Sequence, residues 1–305
     1  MSHKLIDYKG VTWFHIDRVT DEDFRFLQTH FKFHLLDYDD IRSEIHLSKL
    51  DTYKHYLFFI FHIPTFHTTT GNVEKEELYV FLSDTQIVTV THTSIQAIND
   101  LFVHLETHAR YKQNLFSKGS AFLLYQILMD AFRQSRDIVI SMAREVARLE
   151  AEISHRNAKE ITVELGHARR NVLYVRHIVD PQRTIIASLL HVKRPFIPED
   201  LFVYFDDLQD SLDTIWLTTD NLKLLLDGLF DVNEALLSHR TNEVITILTV
   251  ISASLMAPTF IAGFYGMNVP WLPFAHNPIV VSVLYITTFV LILGLVLSIV
   301  RRSRP

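Results

Sequence analysis

The sequence predicts an α/β domain, then a long helical hairpin and a stalk helix, and finally two C-terminal transmembrane helices. Three observations support this fold class. Strand-like runs of aromatic and β-branched residues are concentrated before residue 116. Stretches with helical spacing follow. Two stretches of 22 residues without Lys, Arg, Asp, Glu or His lie at 244–265 and 279–300.

The composition excludes several classes of protein. The chain has 305 residues, a net charge of −6 and no cysteine. A mildly acidic chain is a poor nucleic-acid binder, because phosphate recognition requires a basic face. Without cysteine there are no disulfides, thiolate metal sites or cysteine nucleophiles. The sequence also contains no Walker loop or nucleophile elbow, so we expect no enzymatic activity.

Residues 1–116 form the predicted cytosolic α/β domain. The predicted strands are Val11–Ile16, Tyr56–Ile63, Leu78–Leu82 and Gln86–His92. Residues 83–85 suit a hairpin turn between the last two strands, and 68–72 suit a turn before the third. Thr20, followed by three acids, is a typical start of a helix.

Residues 117–197 form the predicted helical hairpin, with a break near 155–157. The stalk helix is expected at 198–265, since Pro198 suits a first helical turn and no further proline occurs before Pro258. Apolar residues repeat every seven positions along it, at Leu208, Ile215, Leu222, Leu229 and Leu236. This repeat suits either parallel association of stalks or packing against the hairpin.

The two uncharged stretches are each long enough to cross the hydrocarbon layer, which needs about 20 apolar residues. The loop between them, 266–278, lacks Lys and Arg, whereas Arg240 precedes the first span. A basic tail, 301–305, follows the second span and contains Arg301, Arg302 and Arg304. The positive-inside rule therefore predicts a multi-pass protein of the cell (inner or plasma) membrane with both termini in the cytosol.

One face of the stalk and first span is mainly polar and indicates a pore. Its members recur every three or four residues: Asp231, Glu234, Ser238, Asn242, Ile245, Thr249, Ser252, Met256 and Thr259. Two spans cannot enclose a water-filled path, so a pore requires several copies of the chain. The alternative is that the small polar residues pack helix against helix.

The stalk is also strongly acidic. Between Leu201 and Glu234 one base, Lys223, accompanies eight acids: Asp206, Asp207, Asp210, Asp213, Asp220, Asp227, Asp231 and Glu234. Around an oligomeric bundle this excess would concentrate cations and offer oxygen ligands to hard divalent ions. The alternative is a solubilising face without a specific role.

The end of the first span reads Tyr265-Gly266-Met267-Asn268. Here the sequence resembles the CorA-type magnesium and cobalt channel family, whose Gly-Met-Asn tripeptide precedes the loop to a second span. The resemblance extends to 241–244, to 258–263 and to the order of domains. It implies a funnel-shaped homopentamer with Gly266, Met267 and Asn268 as its selectivity mouth.

The resemblance also implies what the residues do. The residues that would face the pore axis are Asn242, Ile245, Met256, Thr259 and Asn268. Mg²⁺, and also Co²⁺ or Ni²⁺, would pass along them and along Asp231, Thr249 and Ser252, which helical spacing places on the same face of the helix. Ile245, Leu248 and Met256 would form an apolar gate. Mg²⁺ tends to keep its water shell, and the amide of Asn268 and the carbonyl of Gly266 could accept hydrogen bonds from that shell.

In the family, cytosolic Mg²⁺ bound between neighbouring stalk domains holds the channel shut, so Mg²⁺ is both transported and regulatory. Asp207 stands at the matching distance from the tripeptide. Spacing does not identify the partner acid on the α/β domain.

Two alternatives remain. The first alternative is a ZntB-like zinc transporter, either proton-coupled or not. It is suggested by the loop 266–278, which lacks the acid that family members often carry, and by the 17 histidines of the chain. No histidine cluster lies on the predicted conduction face, and His104 and His108 lack an evident third ligand, which favours packing or surface roles. The second alternative is a membrane protein that senses metal without conducting it.

Overall fold

The computed structural model describes residues 3–43, 47–67, 69–267, 269, 271, 273 and 277–303. The chain divides into two compact units, Met1–Phe230 and Asp231–Pro305. The boundaries of the predicted domains are finer than this division and stay predictions.

The first unit contains a six-stranded sheet with the strand order β1-β2-β6-β5-β4-β3. Its strands are β1 His3–Tyr8, β2 Val11–Ile16, β3 Lys49–Thr52, β4 Leu57–His67, β5 Asn72–Leu82 and β6 Gln86–Thr91. The β2–β6 pair is parallel and the other pairs are antiparallel. The four predicted strands are confirmed, as is the 83–85 hairpin turn.

The sequence analysis missed β1 and β3, which are the two edge strands. Both mix charged and apolar residues, as in Lys4, Asp7 and Lys49. An edge strand tolerates such a mixture because one of its sides is not paired within the sheet, and this weakens the alternation by which strands are recognised. Their assignment therefore depends on pairing with β2 and β4 rather than on their own composition.

Four short helices accompany the sheet: α1 Asp21–His30, α2 Leu35–Arg42, α3 Gln96–Thr107 and α4 Ala109–Phe116. The predicted cap at Thr20 is confirmed. Its hydroxyl accepts a hydrogen bond from the Asp23 backbone amide at 3.2 Å, and the Asp23 carboxylate accepts one from the Thr20 amide at 3.2 Å. This reciprocal capping satisfies two amides that the first helical turn leaves unpaired.

The helical hairpin consists of α5 Ser120–Glu152 and α6 Ala158–Leu189, and the predicted break between them is confirmed. The Asn157 side chain caps α6 by accepting a hydrogen bond from the Lys159 amide at 3.0 Å. Both long helices contact the sheet through β4, which fixes the hairpin on the α/β domain.

The stalk is one helix, α7 Phe202–Tyr265, preceded by a short 3₁₀ turn at Glu199–Leu201. The predicted uninterrupted helix is thus confirmed, although its α-helical part begins four residues after Pro198. Pro258 lies within it. The last helix is α8 Pro278–Ser303.

Among the described residues, two helices are long and apolar enough to cross a membrane: the one that includes α7 and the one that includes α8. None of the most apolar window of α8 is buried. A core helix of a water-soluble protein would instead be mostly buried, so the structure supports the interpretation of α8 as a membrane span. The limits of both spans stay predictions.

The seven-residue apolar repeat of α7 is buried within the first unit. Leu208, Ile215, Leu222 and Leu229 are at most 8% exposed in the single chain. The same stretch of α7 forms ion pairs with α6. Of the two arrangements that the sequence allowed, the structure shows packing against the hairpin for this face.

Candidate ion-conduction face and cation-binding acids

All residues of the predicted conduction face are exposed in the single chain. The side chains of Ile245, Leu248 and Met256 are 54%, 62% and 72% exposed. Further along α7, Ser254, Pro258 and Ile261 are buried. Because successive residues turn by about 100°, this buried stripe lies on the opposite side of the helix from Ser252, Met256 and Thr259. Within the membrane segment, the polar face is therefore available to other copies of the chain.

The hydroxyl groups on or beside this face are already oriented. Those of Thr249 and Thr259 each donate to the backbone carbonyl four residues earlier, at 2.7 Å. Since the proton points into the helix, the lone pairs of the oxygen are directed outward. A hydrated cation presents O–H donors, so outward acceptors are the groups that it requires.

Gly266 and Met267, the first two residues of the predicted selectivity mouth, follow directly on α7. The Gly266 amide donates to the Ala262 carbonyl at 2.9 Å, so the last turn closes tightly. A Cβ at residue 266 would lie 3.0 Å from that carbonyl oxygen. The reason for glycine here is thus close backbone approach, since the structure gives Gly266 no positive φ.

Several predicted site residues lie outside the described part of the chain. They are Asn268, most of the outer loop (Pro270, Leu272, Phe274, Ala275 and His276) and Arg304. The backbone of Arg301 and Arg302 belongs to α8, but their side chains are also outside the description. The roles of the asparagine and of the basic tail therefore stay predictions.

The structure corrects in part the prediction that the acids of the stalk concentrate cations. Three of the eight acids form a ladder of ion pairs with arginines of α6: Arg169–Asp227 at 3.0 Å, Arg176–Asp220 at 3.2 Å, and Arg183–Asp213. The three arginines recur every seven residues along α6, and the three acids recur every seven residues along α7. Each set therefore lies on one face of its helix, and the two helices run antiparallel. These acids are neutralised within the chain, so they are not available to concentrate cations as predicted.

Trp216 of α7 lies between two of these arginines. The Arg176 and Arg183 guanidinium groups are 5.3 Å and 4.6 Å from its ring centroid. The sequence analysis counted bases along α7 alone and therefore missed the ladder. Arginines spaced by seven on α6 were the signal that could have revealed it.

We expect the ladder to couple α6 to α7. Arg176→Asp should lower the stability of the purified protein by about 1 kcal/mol, or roughly 2–4 °C in Tm, because it places two partly exposed negative charges together. Adding Asp220→Arg should restore most of that loss. Thermal melts of the four proteins give the coupling energy.

Arg136→Asp is the matched control, because Arg136 is exposed on α5 and has no ion pair among the described residues. It should change the Tm less than Arg176→Asp does. If the double variant shows the simple sum of two losses, the charges do not interact and the ladder has no coupling role.

Asp206, Asp207 and Asp210, near the start of α7, are exposed and have no ion pair within the described residues. The Tyr125 hydroxyl of α5 donates to Asp207 Oδ2 at 2.9 Å. Two effects raise the pKa of Tyr125 to about 12: its burial, which is the larger, and the neighbouring Asp207 carboxylate. The hydroxyl therefore remains a donor at any physiological pH. The structure therefore leaves this part of the stalk acidic.

A second acidic group lies in the α/β domain. Oxygen atoms of Asp37, Asp40 and Asp51 lie within 4.8 Å of one another. The Lys49 ammonium lies 2.6 Å from Asp40 and 2.7 Å from Asp51. Burial raises the pKa of Asp37, although Tyr53 and Tyr56 each donate to it. Sequence reasoning missed this group because its members come from α2 and β3, which only the fold brings together.

Among the described residues, no histidine belongs to such a metal-binding group. The His104 and His108 rings stack at 4.0 Å, and His108 Nδ1 lies 2.9 Å from the Thr107 hydroxyl. His62 lies between Ser48 and Glu77, at 2.8 Å and 3.3 Å. These contacts agree with the packing roles that the sequence favoured over metal ligation.

The chain thus combines an α/β domain, a long helix and two candidate membrane spans, the first with an uncharged polar face, which is the arrangement expected of a membrane transport protein. The family whose sequence model matches residues 8–302 is described as CorA-like Mg²⁺ transporter protein. The chain belongs to this family, which is a family of metal-ion transporters.

One curated protein resembles the chain in sequence, and two solved structures resemble it in fold. The "Cobalt/magnesium transport protein CorA" of Thermotoga maritima is 28% identical over 244 residues, which cover 80% of this chain and 68% of that protein. The complete structure of the CorA magnesium transporter from Methanocaldococcus jannaschii aligns with a TM-score of 0.82 at 21% identity, covering 98% of this chain and 93% of that one. The ZntB cytoplasmic domain from Vibrio parahaemolyticus aligns with a TM-score of 0.61 at 12% identity, covering 77% and 90%.

Proposed function

We propose that this protein is a divalent-cation channel that admits Mg²⁺, and also Co²⁺ or Ni²⁺, through a homopentameric pore in the cell membrane. Both termini lie in the cytosol, and Gly266, Met267 and Asn268 form the outer selectivity mouth. Family membership supports the class, and the name of the Thermotoga maritima relative supports Mg²⁺ and Co²⁺ as the ions. The orientation depends on the distribution of Lys and Arg around the spans.

The observation that carries this proposal is the polar face of α7. It is exposed from Asn242 to Thr259, and its residues up to the mouth carry no charge. Beside Ser252 and Met256, the helix is polar on this side and buried on the other. In a bundle of five copies, the polar faces can line a shared water-filled path.

The chemistry of the face suits a hydrated ion. Oxygens of Asn242, Thr249, Ser252 and Thr259 accept hydrogen bonds from the water shell without stripping it from Mg²⁺. Because they are neutral, they bind the ion weakly enough to release it. Ile245, Leu248 and Met256 provide the apolar constriction, which closes when water leaves it. Asp231 lies below, where it attracts the ion on the cytosolic side.

Cytosolic Mg²⁺ closes the channel by bridging subunits at Asp207. We assign the opposing half of this site to the Asp37–Asp40–Asp51 group, since two of its members are partly exposed. In the single chain the Lys49 ammonium pairs with Asp40 and Asp51. The bound ion replaces this ammonium and joins these acids to Asp207 of the neighbouring subunit. When cytosolic Mg²⁺ falls, the ion leaves and the subunits separate, which is a negative feedback on uptake.

Ion flux into liposomes tests the function. Protein reconstituted at a defined orientation should carry Mg²⁺ and Co²⁺ down their gradients, with no requirement for a pH gradient. Empty liposomes are the control. Flux of Zn²⁺ that depends on a pH gradient, with no Mg²⁺ flux, would instead establish the zinc transporter. Binding of Mg²⁺ without flux of any ion would establish the non-conducting sensor.

A further inference from the structure

Among the three exposed acids near the start of α7, Asp207 is the one whose carboxylate receives a side-chain hydrogen bond within the described residues. The donor, Tyr125, belongs to α5, which packs on the sheet through β4. Asp206 and Asp210 have no such donor among the described residues. The hydrogen bond from α5 to α7 thus holds one carboxylate of the stalk in a fixed direction.

Tyr125 is itself held in an aromatic cluster by Phe122 and Tyr204. Its ring centroid lies 5.5 Å from that of Phe122 and 5.1 Å from that of Tyr204. The Phe122 and Tyr204 rings meet edge to face at 4.9 Å. A tyrosine packed in this way has little rotational freedom, so its hydroxyl is a rigid donor.

Lys118, whose ammonium contacts this cluster, forms no ion pair with Asp207. The Lys118 ammonium lies 4.0 Å from the Phe122 centroid and 5.5 Å from the Tyr204 centroid. It has no ion pair among the described residues, so its charge is directed at the rings. Asp207 Oδ1 likewise has no partner within the described residues, and the residue is exposed.

We infer that Tyr125 is a positioning residue of the cytosolic divalent-cation site: its hydroxyl fixes Asp207 through Oδ2 so that Oδ1 faces the ion. This inference rests on the proposed function, in which Asp207 holds the regulatory Mg²⁺. Partners that orient a metal-binding group typically contribute about 10–100-fold to metal affinity. Because this hydrogen bond is exposed, the lower end of that range applies here.

Titration of the full-length purified protein with MgCl₂, followed by its Tm, tests the inference. Tyr125→Phe keeps the ring and removes the hydroxyl, so the half-saturating Mg²⁺ concentration should rise about tenfold. Tyr204→Phe is the matched control, because it removes a hydroxyl from the same cluster and Tyr204 makes no hydrogen bond among the described residues. That variant should keep the wild-type midpoint. Asp207→Asn should abolish the Mg²⁺-dependent rise.

The outcomes separate the inference from the function beneath it. Tyr125→Phe could lower the Tm measured in the absence of Mg²⁺ and still have the same half-saturating Mg²⁺ concentration as Tyr204→Phe. In that case the tyrosine has only a packing role, and the inference is overturned. Loss of the Mg²⁺ response in Asp207→Asn would then leave the regulatory site standing. If Asp207→Asn responds to Mg²⁺ like the wild type, the regulatory site and the positioning role both fail.

Discussion

Replacing Asn268 by Ala is expected to reduce Mg²⁺ flux into liposomes to the background of empty vesicles. In the proposed mouth, one amide from each of five subunits accepts hydrogen bonds from the water shell of the ion. Alanine removes five acceptors at once, and the narrow entrance then offers the ion nothing in place of bulk water. The measurement is the initial rate of Mg²⁺ uptake at matched protein content and oligomeric state.

The matched control is Asn114→Ala, at an exposed asparagine of α4 in the first unit. It should keep the wild-type rate. Flux that survives in Asn268→Ala at more than about half the wild-type rate would remove the asparagine from the mouth. Equal, background flux in both the wild type and the variant would instead favour the non-conducting sensor.

The second large effect is expected from Asp207→Lys, which should abolish closure by cytosolic Mg²⁺. A lysine ammonium at this exposed position repels the ion and replaces a ligand. The channel should then conduct at cytosolic Mg²⁺ concentrations that shut the wild type. Currents recorded from membrane patches, with Mg²⁺ varied on the cytosolic face, measure this directly.

Asp206→Lys makes the same change of charge one residue away, on a carboxylate without a side-chain donor in the described structure. It should shift the block by Mg²⁺ much less than Asp207→Lys. If both variants lose the block equally, the general acidity of the stalk is responsible and no specific site exists at Asp207.

Asp40→Lys is expected to weaken the same block by cytosolic Mg²⁺, since Asp40 belongs to the acidic group assigned to the opposing half of the site.

Much of the fold could be predicted because its features are local. The strand β2, the cap at Thr20, the break before Asn157 and the long α7 each depend on residues close in sequence. Hydrophobic periodicity, capping and the absence of proline report on local backbone preference. The edge strands β1 and β3 could not be predicted in this way, because their pairing partners lie elsewhere in the chain.

The candidate site divides in the same manner. The face from Asn242 to Thr259 follows from helical spacing alone. The pairing of Asp213, Asp220 and Asp227 with α6 does not, because it depends on how two helices distant in sequence pack. As a result, the sequence overestimated the free negative charge of the stalk. The same dependence on packing hid the contact between Tyr125 and Asp207.

The sequence by itself determined the two candidate spans, the continuous helix that leads into the first of them, and the tripeptide that carries the family resemblance, because hydropathy and helical period are properties of contiguous residues. Only the tertiary structure decided which acids are neutralised, which carboxylate is held by a tyrosine and which three acids of the α/β domain converge. Charges act through space over a few ångströms, and only folding brings residues from distant parts of the chain that close.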